Sequence, residues 1–269
     1  MRIAVAGGTG AVGTHVVELA RGAGHDVVVL SRGAGVDLTT GTGLAEALVG
    51  VETVVDVAST FTLDAQESRT FFGTSTRLLL EAEQAAGTRH HLVLSIVGVD
   101  RAPHGYYAGK VLQEELVAAG DVPWTVLRAT QFHEFAGQVH GSTTVGSLVL
   151  VPRMRSETVA ARDVAARLVE LVGAGPSGRV ADLGGPETAW MADLSRAWAR
   201  HRGDRRPVLG VPLPGALGRA MRDGTLVSSP DADHGTTTFA EWLQSQDEPA
   251  GQAGQAGQAD QADQGAPRA

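Results

Sequence analysis

The chain contains no cysteine, which excludes disulfides, thiolate nucleophiles and thiolate-held metals and fits a cytoplasmic protein. It also has no uncharged apolar run long enough to span a bilayer, and it enters a strand at once, without a basic segment and apolar leader. No membrane partner is expected. A basic surplus is missing as well: the net charge is -8 and the arginines are scattered, so nucleic acid is not expected as a partner. Nine histidines are present, yet no His-Glu-x-x-His occurs. His90 and His91 begin a strand, and His133 and His140 stand seven apart without supporting carboxylates, so no metal site is expected. Asparagine is absent, and the only tyrosines are Tyr106 and Tyr107.

What is present is glycine in a particular place. Residues 3–6 form a short apolar run, and Gly7, Gly10 and Gly13 then punctuate a turn that opens into an apolar-periodic helix carrying Val12, Val16, Val17, Leu19 and Ala20. Strand, glycine turn and helix in that order are expected to make a dinucleotide cradle, the alternative being a merely structural turn. One glycine takes the tight bend, a second lets backbone approach the pyrophosphate, and a third lets the helix pack on its strand. The phosphates then meet the positive end of the helix. The turn as a whole, with Thr9, Ala11 and Val12 between its glycines, is the expected pyrophosphate loop.

At 269 residues and 43% hydrophobic, the chain can bury one large α/β core. After the first helix, residues 27–30 (Val-Val-Val-Leu) read as a strand buried on both faces. An NAD site places an acid at the end of this strand, but the residues here are Ser31 and Arg32. This pair favours a 2′-phosphate, hence NADP(H) in preference to NAD(H); the alternative is that Arg32 is a solvated loop residue. Residues 36–38 read as a short third strand, 43–49 as a helix and 51–58 as another strand. A long helix over 70–86, a strand over 91–97 ending near Ser95, a helix over 106–119 and a strand over 124–128 follow. Such alternation requires a doubly wound parallel sheet, a Rossmann fold.

From about 130 to 246 the pattern loosens into a strand over 147–152, helices over 161–172 and 191–202, a short strand near 180–183 and a last helical piece near Trp242. This small C-terminal region is expected to cap the cofactor cleft and bind substrate, with residues 1–246 forming one unit. His133 and Glu134 either line that pocket or cap a helix. Residues 247–269 repeat Gly-Gln-Ala and then Asp-Gln-Ala, with nothing large to bury, and are expected to be a disordered tail.

Tyr106-x-x-x-Lys110 puts a phenol and an ammonium on one helical face, where the cation is expected to lower the phenol pKa. Ser95, about eleven residues earlier at a strand end, is placed to hydrogen-bond a substrate carbonyl. The alternative is an aromatic packing residue beside a surface lysine.

The glycine loop, Ser31-Arg32, Asp37-Leu38, Gly73-Thr74, Ser95-Ile96-Val97-Gly98, Tyr106 to Lys110 and Leu127-Arg128-Ala129-Thr130-Gln131-Phe132 together resemble an NAD(P)H-binding atypical short-chain dehydrogenase/reductase of the NmrA-like group, over about residues 1–245. The resemblance implies NADP(H), with Asp37 and Leu38 flanking the adenine and Ala58 and Ser59 beside the cofactor. It also implies Ser95, Tyr106 and Lys110 as the catalytic set, Lys110 serving the cofactor too. The family's helix asparagine is Thr70 here, so a relay through that amide is missing or replaced by water. The expected activity is NADPH-dependent reduction of a carbonyl or quinone-like small molecule. The group also contains redox sensors that bind NADP(H) without turnover and act through a protein partner. A homo-oligomer is compatible with the sequence.

Overall fold

The computed structural model describes residues 1–246; the tail expected over 247–269 lies outside the described residues. Strand β1 (Arg2–Ala6) runs into the glycine turn and helix α1 (Ala11–Gly22), and β2 (Asp26–Leu30) returns beside β1. Ile3 and Val5 pack to one side of β1, and Ala4 and Ala6 to the other. Burial on both faces is why the run reads as continuously apolar instead of alternating.

The third strand expected over 36–38 does not form. The β2 exit instead coils into a 3-10 turn, Arg32–Ala34, closed by Gly35 at φ 80°, and Val36 N returns to Ser31 O at 3.0 Å. A backbone folded back in this way offers no extended edge for pairing, so the sheet stops at β2.

Helix α2 (Leu44–Ala47), β3 (Thr53–Asp56), α3 (Ala65–Ala86), β4 (His90–Ile96), α4 (Tyr106–Ala119) and β5 (Trp124–Ala129) follow. Helix α3 starts earlier than its apolar pattern because Asp64 caps it, accepting from Glu67 N at 2.8 Å, an interaction worth about 1 kcal/mol. Beyond β5, α5 (Phe135–Ser142), β6 (Thr144–Val145), β7 (Leu148–Pro152) and β8 (Arg155–Ser156) leave the main sheet. Then α6 (Ala161–Ala174), β9 (Gly178–Arg179) and β10 (Leu183–Gly184) return to it. The chain departs again through β11 (Ala189–Trp190), α7 (Met191–His201), β12 (Val208–Val211) and α8 (Gly215–Asp223). Finally β13 (Asp233–His234) rejoins the sheet ahead of α9 (Phe239–Ser245).

The main sheet has eight parallel strands in the order β13-β10-β5-β4-β3-β1-β2, with β9 also paired to β5. Helices α1 and α6 cover one face with Val16, Leu168 and Val164 against Ile3, Leu92 and Leu127; α3 and α4 lie together on the other. From β1 the chain builds outward to β2 and then crosses over to β3. The crevice at the carboxyl ends of β1 and β3 is therefore the switch point, where open α/β sheets bind ligands. A separate core of Met154, Met191, Leu226 and Phe239 holds the later segments together.

Candidate cofactor and active site

The glycine turn sits at that switch point, and its sterics admit nothing larger. Gly7 has φ +77°, and a Cβ there would lie 2.8 Å from Ala58 Cα. A Cβ on Gly13 would lie 2.1 Å from Gly7 O. The first glycine thus lets the turn close on the β3 exit, and the last lets α1 dock on the turn. Gly10, whose N–H donates to Gly7 O at 2.9 Å, is the α1 N-cap and offers no side-chain cap, which leaves the helix end open to an anion. Thr9 and Ala11 are exposed around it, and Val12 is buried. A pyrophosphate fits this cradle.

At the β2 exit, Ser31 precedes the 3-10 turn and Arg32 opens it. Asp37 stands close enough to feel the Arg32 charge. Its Oδ1 accepts from Thr39 N at 2.8 Å and Thr39 Oγ1 at 2.7 Å; these bonds, with a smaller contribution from Arg32, hold the carboxyl below its usual range. Leu38 packs at the edge of the core beneath α2 and α3.

The residues expected to do chemistry gather on α4 and the strand ends facing it. Helices α3 and α4 approach closely because Gly109 has no side chain: a Cβ there would meet Ser68 Oγ at 2.2 Å. Ser68 Oγ in turn donates to Tyr106 O at 2.7 Å. Tyr106 and Lys110 therefore look into the interior, but not as a mutually bonded pair. The Tyr106 hydroxyl is 2.8 Å from Ser59 Oγ. Lys110, the only lysine in the chain, donates to Leu94 O at 2.6 Å and to Gln113 Oε1, and lies 4.8 Å from the Phe72 ring centroid.

The expected lowering of the phenol pKa is thus corrected. Burial pushes Tyr106 up to about 12, against a smaller opposing pull from its Ser59 hydrogen bond. Burial also pushes Lys110 down to about 8. Desolvation is the largest influence on each group, ahead of Ser59 and Asp56 for the phenol and of Asp56 and Glu114 for the ammonium. Tyr107 is likewise pushed to about 12 by burial, with Gln131 as its partner. Ser95 lies at the β4 end with its Oγ buried and, among the described residues, without a hydrogen-bond partner. It is not joined to Tyr106.

Two residues that sequence reading did not single out complete this cluster. Asp56, at the end of β3, accepts from Ala58 N at 2.9 Å through one oxygen and from Gln113 Nε2 at 2.8 Å through the other. The signal available for Asp56 was a carboxylate inside the apolar run Val54-Val55-Asp56-Val57; Gln113 carried none. Thr70 turns its hydroxyl back to Gln66 O at 2.9 Å on an exposed helix face, so it takes no part in a buried relay.

With that geometry in place, comparison with known proteins adds the family. The sequence profile described as NAD(P)H-binding matches residues 34–174, just over half the chain. The chain belongs to the NAD(P)H-binding family. The match begins past Gly7 and Gly13, so the glycine turn lies outside the matched residues. No curated protein matches the sequence.

Solved structures of NAD(P)-dependent proteins share the fold. A short-chain dehydrogenase/reductase superfamily protein from Agrobacterium tumefaciens with bound NAD is 21% identical, with TM-score 0.62, 91% of this chain and 95% of that chain covered. An NADPH-dependent quinone oxidoreductase from Escherichia coli, complexed with NADPH, is 20% identical, with TM-score 0.66 and coverage of 91% and 99%. An NAD-dependent NDP-hexosamine 5,6-dehydratase involved in tunicamycin biosynthesis is 16% identical, with TM-score 0.69 and coverage of 90% and 95%. At these identities the likeness is one of fold. It accords with the atypical short-chain dehydrogenase/reductase resemblance of the sequence.

The late segments of this NAD(P)H-binding chain reach the β4 exit: a Cβ on Gly98 would lie 2.2 Å from Thr225 O. Between them opens a cleft of about 480 Å³ lined by Gly98, Asp100, Arg128, Arg179, Asp182 and Ser228, among others. Arg128, in register with Ser95 on the neighbouring strand, is clamped by Glu114 at 2.8 and 2.6 Å and by Asp100 at 2.9 Å. His133 is fully buried, with Nδ1 2.8 Å from Thr158 Oγ1, Nε2 3.0 Å from Thr237 O and its ring against Phe239 and Trp242. It ties α9 down and is not exposed to a ligand. Glu134 is the N-cap residue of α5 but makes no side-chain cap there. Among the described residues no group of three or more His, Asp or Glu could hold a metal ion, and no helix is long and apolar enough to cross a membrane.

Proposed function

We propose that the protein is an NADPH-dependent oxidoreductase that reduces a carbonyl or quinone-like small molecule, with Tyr106 as proton donor. The observation that carries this reading is half-buried Tyr106, whose hydroxyl is held 2.8 Å from the Oγ of exposed Ser59 on the chain leaving β3 at the switch-point crevice. The loop from Gly7 to Gly13, with Thr9, Gly10, Ala11 and Val12, would hold the pyrophosphate. Ser31 and Arg32 would hold the 2′-phosphate, Asp37 and Leu38 the adenine side, and Ala58, Ser59 and Lys110 the nicotinamide side. When bound, the nicotinamide supplies the hydride.

The chain's own part is orientation and the proton. A phenol near pKa 12 is protonated throughout the neutral range, so Tyr106 serves as an acid and not as a preformed phenolate. It releases its proton as negative charge builds on the acceptor oxygen, and the Ser59 hydroxyl then donates to the phenolate. Ser95 Oγ, buried and uncommitted to any described residue, is the donor available to the same acceptor oxygen. Lys110 contributes a buried positive charge behind the phenol.

One observation favours a second reading. Lys110 is committed to Leu94, Gln113 and the Phe72 ring, and Tyr106 is bonded to Ser59 in place of Ser95, an arrangement that also suits an NADP(H)-binding sensor acting through a protein partner. Steady-state NADPH oxidation with a panel of quinones and ketones separates the two. Turnover on any of them supports the reductase, and tight NADPH binding without turnover on all of them supports the sensor.

A further inference from the structure

We infer that Gln113 is a positioning residue for Lys110, coupling its ammonium to the carboxylate of Asp56 through the two ends of one amide. The inference rests on the reading of Lys110 as the cation of the site. Gln113 is fully buried, and a buried primary amide left half-paired is costly. Here both ends are used: Oε1 accepts from Lys110 Nζ, and Nε2 donates to Asp56 Oδ2 at 2.8 Å.

The polarity of this chain is fixed by its ends. An ammonium can only donate and a carboxylate can only accept, so the amide between them has one allowed orientation. Each charge then polarises the amide toward the other, strengthening both bonds in a low-dielectric interior. A direct Asp56–Lys110 ion pair is replaced by a charge–amide–charge bridge. The bridge keeps the ammonium on Leu94 O at the β4 end while leaving Asp56 Oδ1 on Ala58 N. The same carboxylate therefore holds the start of the Ala58-Ser59 turn, whose serine pairs with Tyr106, and anchors Lys110. One amide links the two halves of the candidate site.

The charged and titratable groups facing Lys110 come from three elements: Asp56 on β3, His91 on β4, and Glu114 on α4 itself. Of these, Asp56 is the one that Gln113 bridges. From α3 the ammonium meets the Phe72 ring, which is uncharged. Removing the amide strips the ammonium of one acceptor and of its polarised link to Asp56, while burial, which disfavours the charge, persists.

The test reads Lys110 directly and needs neither cofactor nor turnover. Because this is the only lysine, protein grown on lysine labelled with carbon-13 at the ε-position gives one side-chain resonance, whose pH titration is the titration of Lys110. The unaltered protein should titrate well below an ordinary lysine. Gln113→Leu, close in shape and unable to bridge, should titrate at least about one pH unit lower still, the effect of losing a hydrogen bond to a charge. An unmoved midpoint overturns the inference. Should Gln113→Leu fail to fold, Gln113→Met, which fills similar space and likewise offers no amide, should titrate lower by a similar amount, and an unmoved midpoint there overturns it equally. These outcomes are independent of the NADPH oxidation panel, so a protein that proves to be a sensor still tests the bridge.

Discussion

Tyr106 and Ser59 share a 2.8 Å hydrogen bond across 47 residues of chain, and the phenol in that bond is pushed up to about 12 by burial. An acid so weak keeps its proton across the working range, which separates two pH effects. Lys110, at about 8, loses its positive charge as pH rises through that value, while Tyr106 does not change. The KM for NADPH should therefore rise and kcat fall above about pH 8, as the charge behind the phenol is lost while the phenol keeps its proton. Tyr106→Phe should lower kcat by roughly 10² or more with cofactor binding retained, and Tyr107→Phe by less than about tenfold. Full turnover in Tyr106→Phe would mean that solvent supplies the proton.

The cradle gives a second expectation. A methyl group on Gly13 would fall 2.1 Å from Gly7 O, a backbone atom that cannot swing aside, so Gly13→Ala must move α1 off the turn. The variant should lose about 1–3 kcal/mol of stability, as overpacking does. It should also lose the extra stability that saturating NADPH confers on the unaltered protein, about 2.7 kcal/mol at a hundredfold excess over Kd. Thermal melts with and without NADPH measure both. An unchanged NADPH-dependent shift would remove the turn from the phosphate site.

Cofactor choice rests on Arg32, which opens the turn after β2 where an NAD site would carry an acid. NADPH should bind more tightly than NADH. Arg32→Asp should weaken NADPH by ~1.5–3 kcal/mol, the worth of a hydrogen bond between charged groups, while leaving NADH nearly unchanged. Titration calorimetry with both cofactors checks this, and equal affinities in the unaltered protein would refute it.

The β–α alternation and the glycine turn were legible because both are local. Burial on two faces writes itself into residues 3–6 of β1, and the sterics of Gly7 and Gly13 involve neighbours in sequence as well as the β3 exit. Residues 36–38 misled for the same reason. Their apolar ends suggest a strand, but the carboxylate between them captures Thr39 N and Oγ1, and a side chain that bonds its own backbone competes with pairing. The spacing of Tyr106 and Lys110 set their shared face correctly and their partners wrongly. What decides those partners is nonlocal: Gln113 reaches Asp56 across 57 residues, and Tyr106 reaches Ser59 across 47. No periodicity encodes such contacts.

A last expectation concerns stability at the opposite end of the same strands. His91 Nδ1 lies 2.8 Å from Glu83 Oε1, with both side chains wholly buried. Burial alone would lower the histidine, but the charge and hydrogen bond of Glu83 outweigh it, and His91 ends above 6.5. A histidine raised in the folded state contributes stability that is full below its unfolded value near 6.5 and is lost as pH rises through the folded value. Its neighbour His90, 2.9 Å from Thr125 Oγ1, is lowered by burial to about 4 and works in the other direction, losing stability as pH falls from about 6.5 toward 4. The contribution of these two histidines is therefore greatest near pH 6.5, and Glu83, whose own carboxyl burial raises, adds a loss as pH rises above the ordinary carboxyl range; chemical denaturation across pH measures both limbs. Glu83→Gln should flatten the alkaline limb, because a neutral amide no longer favours the imidazolium. Glu83→Ala should cost about 3–5 kcal/mol, since it leaves His91 buried without its partner. An alkaline limb that persists in Glu83→Gln would place its origin outside this pair.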